Sequence, residues 1–130
     1  KEQIEAGLLP DARRTLSDVS PRIRFDNSVK SLIARLELAE IANSDVDRAT
    51  LEKRISSNTD DLPSREKLGA VCFAAGENDA AMSQWLEIVR RGQGGTKENG
   101  RENLIRSFEI LGPQDQDVIR YRRLLAQALN

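Results

Sequence analysis

One stretch decides the fold: residues 62–91, which read LPSREKLGAVCFAAGENDAAMSQWLEIVRR. A Gly-Glu-Asn-Asp turn that begins at Gly76 divides it into two segments of ordinary helical length. Both segments carry small and apolar residues at helical spacing: Leu68, Gly69, Cys72, Ala81, Trp85 and Ile88. The small members would let two antiparallel helices approach closely, and the large members would fill the volume between them. The stretch therefore predicts a pair of packed antiparallel helices.

Glycine, proline and capping residues also recur between the amphipathic segments in the rest of the chain. They divide it into further helices. The predicted helices span about 1–7, 10–19, 26–42 and 46–57, then from the break at 60–64 to Gly76, and then 79–91, 97–111 and 115–129. The glycine-rich residues 92–100 are predicted to form a loop that includes a frayed start of the helix at 97–111. The third helix carries an apolar stripe made of Val29, Leu32, Ile33, Leu36 and Ala39. No segment shows the alternating pattern of a β-strand, so we expect an all-α fold of about seven to eight helices.

The chain also repeats itself at an offset of 69 residues. The aligned positions are similar in size and polarity: Ile4 with Phe73, Ala6 with Ala75, Gly7 with Gly76, Ala12 with Ala81, Leu16 with Trp85, and Val19 with Ile88. This offset is close to two periods of the tetratricopeptide repeat, which is about 34 residues long, and the spacings within 62–91 resemble its pattern. We therefore expect a single tetratricopeptide-like domain, 1–130, built as an α-solenoid of antiparallel helix pairs. Its repeats are at about 1–20 (truncated), 26–57 (degenerate) and 62–91, followed by the helices 97–111 and 115–129.

The composition excludes several classes of function. The 20 basic and 21 acidic residues give a net charge of −1, so no field of one sign steers the chain to nucleic acid or to a membrane. The absence of histidine removes Ser-His-Asp and Cys-His catalysis and histidine-ligated zinc. We expect no enzymatic activity, no cofactor and no metal site. The single cysteine, Cys72, rules out an internal disulfide and favours a reducing, cytoplasmic location.

The C-terminal third resembles a known family. Its residues read EIVRR at 87–91, FEILGP at 108–113 and DVIRYRRLLA at 117–126, and they look like the tail of bacterial thioredoxin-like co-chaperones of the YbbN/CnoX type. The resemblance extends over essentially the whole chain and implies a thioredoxin-like domain upstream of Lys1. It further implies a holdase that binds unfolded clients and passes them to DnaK and GroEL. In that family the C-terminal helix engages GroEL, which corresponds to about 117–130 here.

The last predicted helix is the candidate partner-binding element. Its apolar stripe contains Val118, Tyr121, Leu125 and Leu129, with Leu124 and Ala128 beside it. Such a helix either caps the end of the solenoid or docks into a groove of a partner, and opposite faces can do both. The candidate partner-binding residues are Tyr121, Arg122, Leu124, Leu125 and Leu129.

Other chemistry-bearing residues have structural interpretations. Cys72 and Trp85 are expected in the core. Arginines at 13–14, 90–91, 120 and 122–123 either clamp a peptide carboxylate or form surface pairs such as Glu87–Arg91. Residues 91–97 read as a flexible connector, since the spacing of a phosphate-binding loop is absent. The carboxylates Glu37, Glu40, Asp60 and Asp61 are expected to be solvated or to cap helices.

Two other functions remain open on these residues. One is a generic tetratricopeptide adaptor that recognises a defined peptide motif through an arginine-bearing surface. The other is a dimerising or regulatory appendage of an oxidoreductase.

Overall fold

The computed structural model describes residues 27–130, and every regular element in that part of the chain is a helix. The helices are α1 (Asn27–Ala42), α2 (Arg48–Ser57), α3 (Leu62–Ala74), α4 (Asn78–Arg91), α5 (Gly94–Leu111) and α6 (Gln116–Leu129). The expected all-helical class is confirmed. The helices predicted at 1–7 and 10–19, the repeat at 1–20 and the arginines at 13–14 lie outside the described residues.

Aspartates begin three of the helices. Asp47 Oδ1 accepts a hydrogen bond from the Thr50 amide at 2.9 Å, so α2 begins after residue 47 rather than at the predicted 46. Asp61 accepts from the Ser64 amide at 3.2 Å and caps α3, as expected for this carboxylate. Asp115 Oδ1 accepts hydrogen bonds from the amides of Asp117 and Val118, at 2.8 and 3.1 Å, and so caps α6. Each carboxylate pairs with amides that have no partner within the helix.

The predicted loop over 92–100 is wrong, because α5 already begins at Gly94. Glycine is unfavourable inside a helix, yet Gly100 is buried where α5 crosses α4. A Cβ atom at this position would lie 2.8 Å from the carbonyl oxygen of Trp85 and 2.9 Å from Cβ of Ile88. Gly100 is therefore a contact point between two helix backbones. The connector between α4 and α5 consists only of Gly92 and Gln93.

The centre of the core is the α3–α4 pair that the sequence predicts. Trp85 is fully buried, and its indole nitrogen donates to the carbonyl of Glu66 at 3.3 Å. A Cβ at Gly69 would lie 2.8 Å from Cε2 of this indole, so only glycine allows the close approach. Cys72 is buried on the same helix, and burial raises the pKa of its thiol. Both expected core residues, Cys72 and Trp85, are confirmed in that role.

The helices do not all stack on their neighbours in sequence. Four of them form a ring of packed neighbours, α1–α3–α4–α5, so that α1 and α4 are each flanked by α3 and α5. Helix α2 packs on α3, and α6 packs on α4 and, to a smaller extent, on α5. The core cluster draws on α1 through Leu38, which is not in the predicted stripe, whereas four of the five stripe residues are only half-buried. Leu36, the remaining residue of the predicted stripe, is buried at 2% exposure.

Candidate functional site: the two faces of the C-terminal helix

The inner face of α6 covers one end of the core. Val118 is fully buried, Tyr121 and Leu125 are 5% and 7% exposed, and Leu124 and Ala128 pack half-buried beside them. The Tyr121 hydroxyl donates to Asp79 Oδ1 at 2.6 Å, which ties α6 to the first turn of α4. This face therefore caps the helix stack, the first of the two roles predicted for α6.

The outer face of α6 points to solvent and combines apolar and cationic side chains. It consists of Ile119, Arg122, Arg123, Ala126 and Leu129, all exposed. Their spacing of three, four, seven and ten residues from Ile119 places them on one side of the helix. Ile119 is 43% exposed and Leu129 45%, and they are the large hydrophobic residues that residues 27–130 leave exposed. We call these five residues the α6 outer face.

A second polar feature lies where α1 crosses α3 and α5, and we call it the polar seam: Glu37, Glu66, Asn103 and Arg106. Asn103 is fully buried; its Nδ2 donates to Glu66 at 2.9 Å, and its Oδ1 accepts from Arg106 at 2.6 Å. Arg106 also pairs with Glu37 at 3.2 Å. Glu37 is therefore half-buried in an ion pair, and its expected role as a solvated or capping carboxylate is wrong.

Comparison with protein families identifies this arrangement of helices. Residues 41–130, which are 90 of the 130, match the tetratricopeptide repeat family. The chain belongs to the tetratricopeptide repeat family. Tetratricopeptide domains are generally non-catalytic modules that bind other proteins. No match was found among curated proteins or among solved structures.

The tetratricopeptide domain places the predicted partner-binding residues on both sides of α6. Arg122 and Leu129 belong to the α6 outer face, whereas Tyr121 and Leu125 are buried on the inner face and Leu124 is half-buried. Sequence reasoning missed Ile119. Its helical neighbours at three and four residues are arginines, so the outer face reads as a polar surface even though it has the period of an amphipathic helix.

The arginine clusters of the tetratricopeptide domain engage side chains of the chain itself. Arg91 pairs with Glu87 and with Asp60, both at 2.9 Å. Arg90 also pairs with Glu87, at 3.0 Å, and Arg120 pairs with Asp79. The expected Glu87–Arg91 pair is therefore confirmed. These ion pairs are exposed to solvent and screened by it, so the arginines stabilise the fold little.

Arg122 is held in place by an aromatic ring. Its guanidinium lies 5.8 Å from the centroid of the Phe108 ring on α5. This cation–π contact keeps the aliphatic part of the side chain against the protein while the residue stays exposed. The α6 outer face thus presents the oriented charge of Arg122 between its two large hydrophobic residues, Ile119 and Leu129.

Two further properties follow from residues 27–130 of the tetratricopeptide domain. None of the helices there has the length and apolarity that a membrane crossing requires. Within the same residues, no group of three histidine, cysteine, aspartate or glutamate side chains is placed to hold a metal ion.

We predict that Tyr121, the one tyrosine in the sequence, loses its phenolic proton at a higher pH than an ordinary tyrosine does. Burial and the hydrogen bond to Asp79 raise the pKa of Tyr121 to about 12 from its usual 10.0. The folded state favours the protonated phenol, so this stabilisation is complete below about pH 10 and is lost as the pH rises to about 12. Ultraviolet absorbance of the phenolate measures the midpoint directly, because the chain has one tyrosine.

The unfolded chain in urea is the control for this titration, and its midpoint is expected near 10. Asp79→Asn keeps an acceptor but removes the charge, so it should shift the folded midpoint towards 10. A midpoint of 10 in the folded wild-type chain, with circular dichroism unchanged, would contradict the buried hydrogen bond.

Proposed function

We propose that this chain is the protein-interaction domain of a thioredoxin-like co-chaperone, and that the α6 outer face is the surface that binds a GroEL-type chaperonin. One observation carries the proposal. Both exposed large hydrophobic residues of the described chain, Ile119 and Leu129, lie on α6. This is the helix to which the family resemblance in 108–126 assigns the contact with GroEL. The domain has no catalytic role in this proposal, and its partners, which include DnaK and unfolded clients, are cytoplasmic.

The chemistry of the α6 outer face suits a groove with apolar walls and an acidic rim. A helix that docks in a groove uses residues three, four and seven apart as anchors, which is the spacing of Ile119, Arg122 and Ala126. The arginines would pair with carboxylates at the rim and orient the encounter, while the apolar residues supply most of the affinity. The inner face keeps α6 fixed to the core meanwhile, because Tyr121 and Leu125 remain buried.

The experiment compares chaperonin binding by the wild-type chain and by the double variant Ile119→Asp/Leu129→Asp, with the chain immobilised and GroEL in solution. We expect at least a tenfold loss of affinity, since both apolar anchors become charged. The matched control is Ala49→Asp/Thr50→Asp, which adds the same two charges to exposed positions in the first turn of α2. Acidic residues stabilise a helix at its first turn, so this control stays folded.

Two outcomes would reject the α6 outer face as the binding surface. One is an equal loss of GroEL binding in the control variant, and the other is no loss of binding in the α6 double variant. The co-chaperone role also requires that the chain suppress aggregation of an unfolding client. Failure to suppress aggregation together with failure to bind GroEL would reject that role.

A second candidate is an adaptor for a defined peptide. It is favoured by the small apolar area, because residues 27–130 expose only two large hydrophobic residues, Ile119 and Leu129. A holdase that accepts many clients needs a broader apolar surface. A peptide array distinguishes the two functions: sequence-selective, salt-sensitive binding supports the adaptor, and promiscuous apolar binding supports the holdase.

A further inference from the structure

Arg65 is a buried arginine without an opposite charge beside it. It is 7% exposed and is the one buried side chain that carries a charge in the described part of the chain. The ion pairs of that part involve Arg90 and Arg91 of α4, but none involves Arg65. Asp61, the cap of the same helix, instead accepts from the amide and the hydroxyl of Ser64. Buried charges in proteins are normally paired, so Arg65 is an exception.

Two neutral groups hold the guanidinium of Arg65 in place. Its Nε donates to the carbonyl oxygen of Thr59 at 2.8 Å, and its Nη1 donates to Oε1 of Gln84 at 2.9 Å. Thr59 lies in the connector between α2 and α3 and Gln84 lies on α4, so the group is fixed from two sides. Within residues 27–130 nothing accepts from its third nitrogen, Nη2. Because no buried side-chain nitrogen there lacks a partner, Nη2 is open to solvent.

Gln84 adds a second unused donor. Arginine has no acceptor, so the amide oxygen of Gln84 must face Arg65, and the amide nitrogen Nε2 is the free end of the group. This nitrogen has no acceptor among the described residues either, and Gln84 is half-buried. We call Arg65 and Gln84 together the Arg65 site. The site offers two N–H donors, one of them charged, and lacks the acceptor that would use them.

The charges around the Arg65 site determine which anion fits it. Glu87 pairs with Arg90 at 3.0 Å and with Arg91 at 2.9 Å, and Asp60 pairs with Arg91 at 2.9 Å. Two carboxylates thus serve two arginines, and Arg65 is left with one positive charge in excess. A dianion such as phosphate would meet Asp60 and Glu87 close by, and like charges repel. A single carboxylate matches both the excess charge and the planar fork of a guanidinium.

From these observations we infer that the Arg65 site binds an acidic side chain, aspartate or glutamate, of a partner protein. Nη2 of Arg65 and Nε2 of Gln84 donate to the oxygens of that carboxylate. Thr59 and Asp60 at the border of the site are exposed, so a macromolecule can reach it. The site lies on α3 and α4 and shares no residue with the α6 outer face, so the inference does not depend on the proposed contact with GroEL. It gives the adaptor function a specific anchor.

A peptide array probed with the full chain tests the inference. Each peptide sequence is present in three forms, with glutamate, glutamine or phosphoserine at one position. We expect the best-binding sequences to retain the chain at least tenfold more strongly with glutamate than with glutamine, and also more strongly than with phosphoserine. In Gln84→Glu a carboxylate enters the site and still accepts from Arg65, so the preference for glutamate should disappear. Gln114→Glu adds the same charge at an exposed position between α5 and α6, and this matched control should keep the preference.

The stability of the same two variants gives a second readout that needs no peptide. Gln84→Glu supplies the opposite charge that Arg65 lacks, so its midpoint of thermal unfolding should rise by about 2–4 °C, whereas that of Gln114→Glu should not change. The inference is overturned if the wild-type chain does not prefer glutamate to glutamine, if phosphoserine is preferred to glutamate, or if the preference for glutamate survives in Gln84→Glu. A thermal midpoint of Gln84→Glu that does not rise would also overturn it, because Arg65 would then not lack an opposite charge.

Discussion

Trp85→Ala is expected to lower the free energy of unfolding by about 3–5 kcal/mol, the usual cost of removing a large aromatic side chain from a core. Trp85 is fully buried, and its ring lies 5.9 Å from that of Phe73. Its indole nitrogen also donates to the carbonyl of Glu66. The ring packs directly on Gly69, which has no side chain that could fill the volume left by the ring. Urea denaturation followed by far-ultraviolet circular dichroism measures the loss.

Leu129→Ala is the control for this prediction, since it also removes a large apolar side chain but from the solvent-exposed face of α6. We expect it to change the free energy of unfolding by no more than about 0.5 kcal/mol. If Trp85→Ala and Leu129→Ala had similar costs, the α3–α4 pair would not be the centre of the core.

Two glycine-to-alanine changes in the same helix are expected to have opposite signs. Gly100→Ala should destabilise the chain by about 1–3 kcal/mol, because its Cβ would press on the carbonyl oxygen of Trp85 and on Ile88. The pressure falls on a helix backbone, which cannot turn aside as a flexible side chain can. Thermal unfolding of the wild type and both variants measures the differences.

Gly95→Ala is the matched change, because a Cβ there meets nothing within 4 Å. It should stabilise the chain by roughly 0.5–1 kcal/mol through the higher helix propensity of alanine. A stabilising Gly100→Ala would show that α4 and α5 do not approach closely there, and would also remove the explanation for the helical residues 94–100.

The sequence predicted the helices of residues 27–130 because capping aspartates and glycine turns are local signals. Asp61, Asp115 and the turn at Gly76 could be read without knowledge of their neighbours. The role of Gly100 could not be predicted, because a glycine that interrupts a helix and a glycine that lets a neighbouring helix approach look the same in a single sequence. Buried Leu38 lies outside the predicted stripe for a related reason: α1 packs on both α3 and α5, so its period does not identify one face.

The candidate site was predictable in part. The amphipathic pattern of α6 identified its buried face through Val118, Tyr121 and Leu125, and the C-terminal resemblance drew attention to the same helix. Ile119 follows the buried Val118 and precedes Arg120, and no local pattern marks Ile119 as an exposed apolar residue. The polar seam could not be predicted, because Glu37 and Arg106 are 69 residues apart in the sequence and no local pattern relates them.

The α6 outer face can be tested directly by site-specific photo-crosslinking. A benzophenone amino acid is placed at Ile119, and in a second protein at Lys53, an exposed residue of α2. Both proteins are irradiated with GroEL, and the adducts are resolved by denaturing electrophoresis. If the α6 outer face is the binding surface, the probe at position 119 forms a covalent adduct with GroEL and the probe at position 53 does not. Adducts of equal yield from both positions, or from position 53 alone, would contradict the assignment.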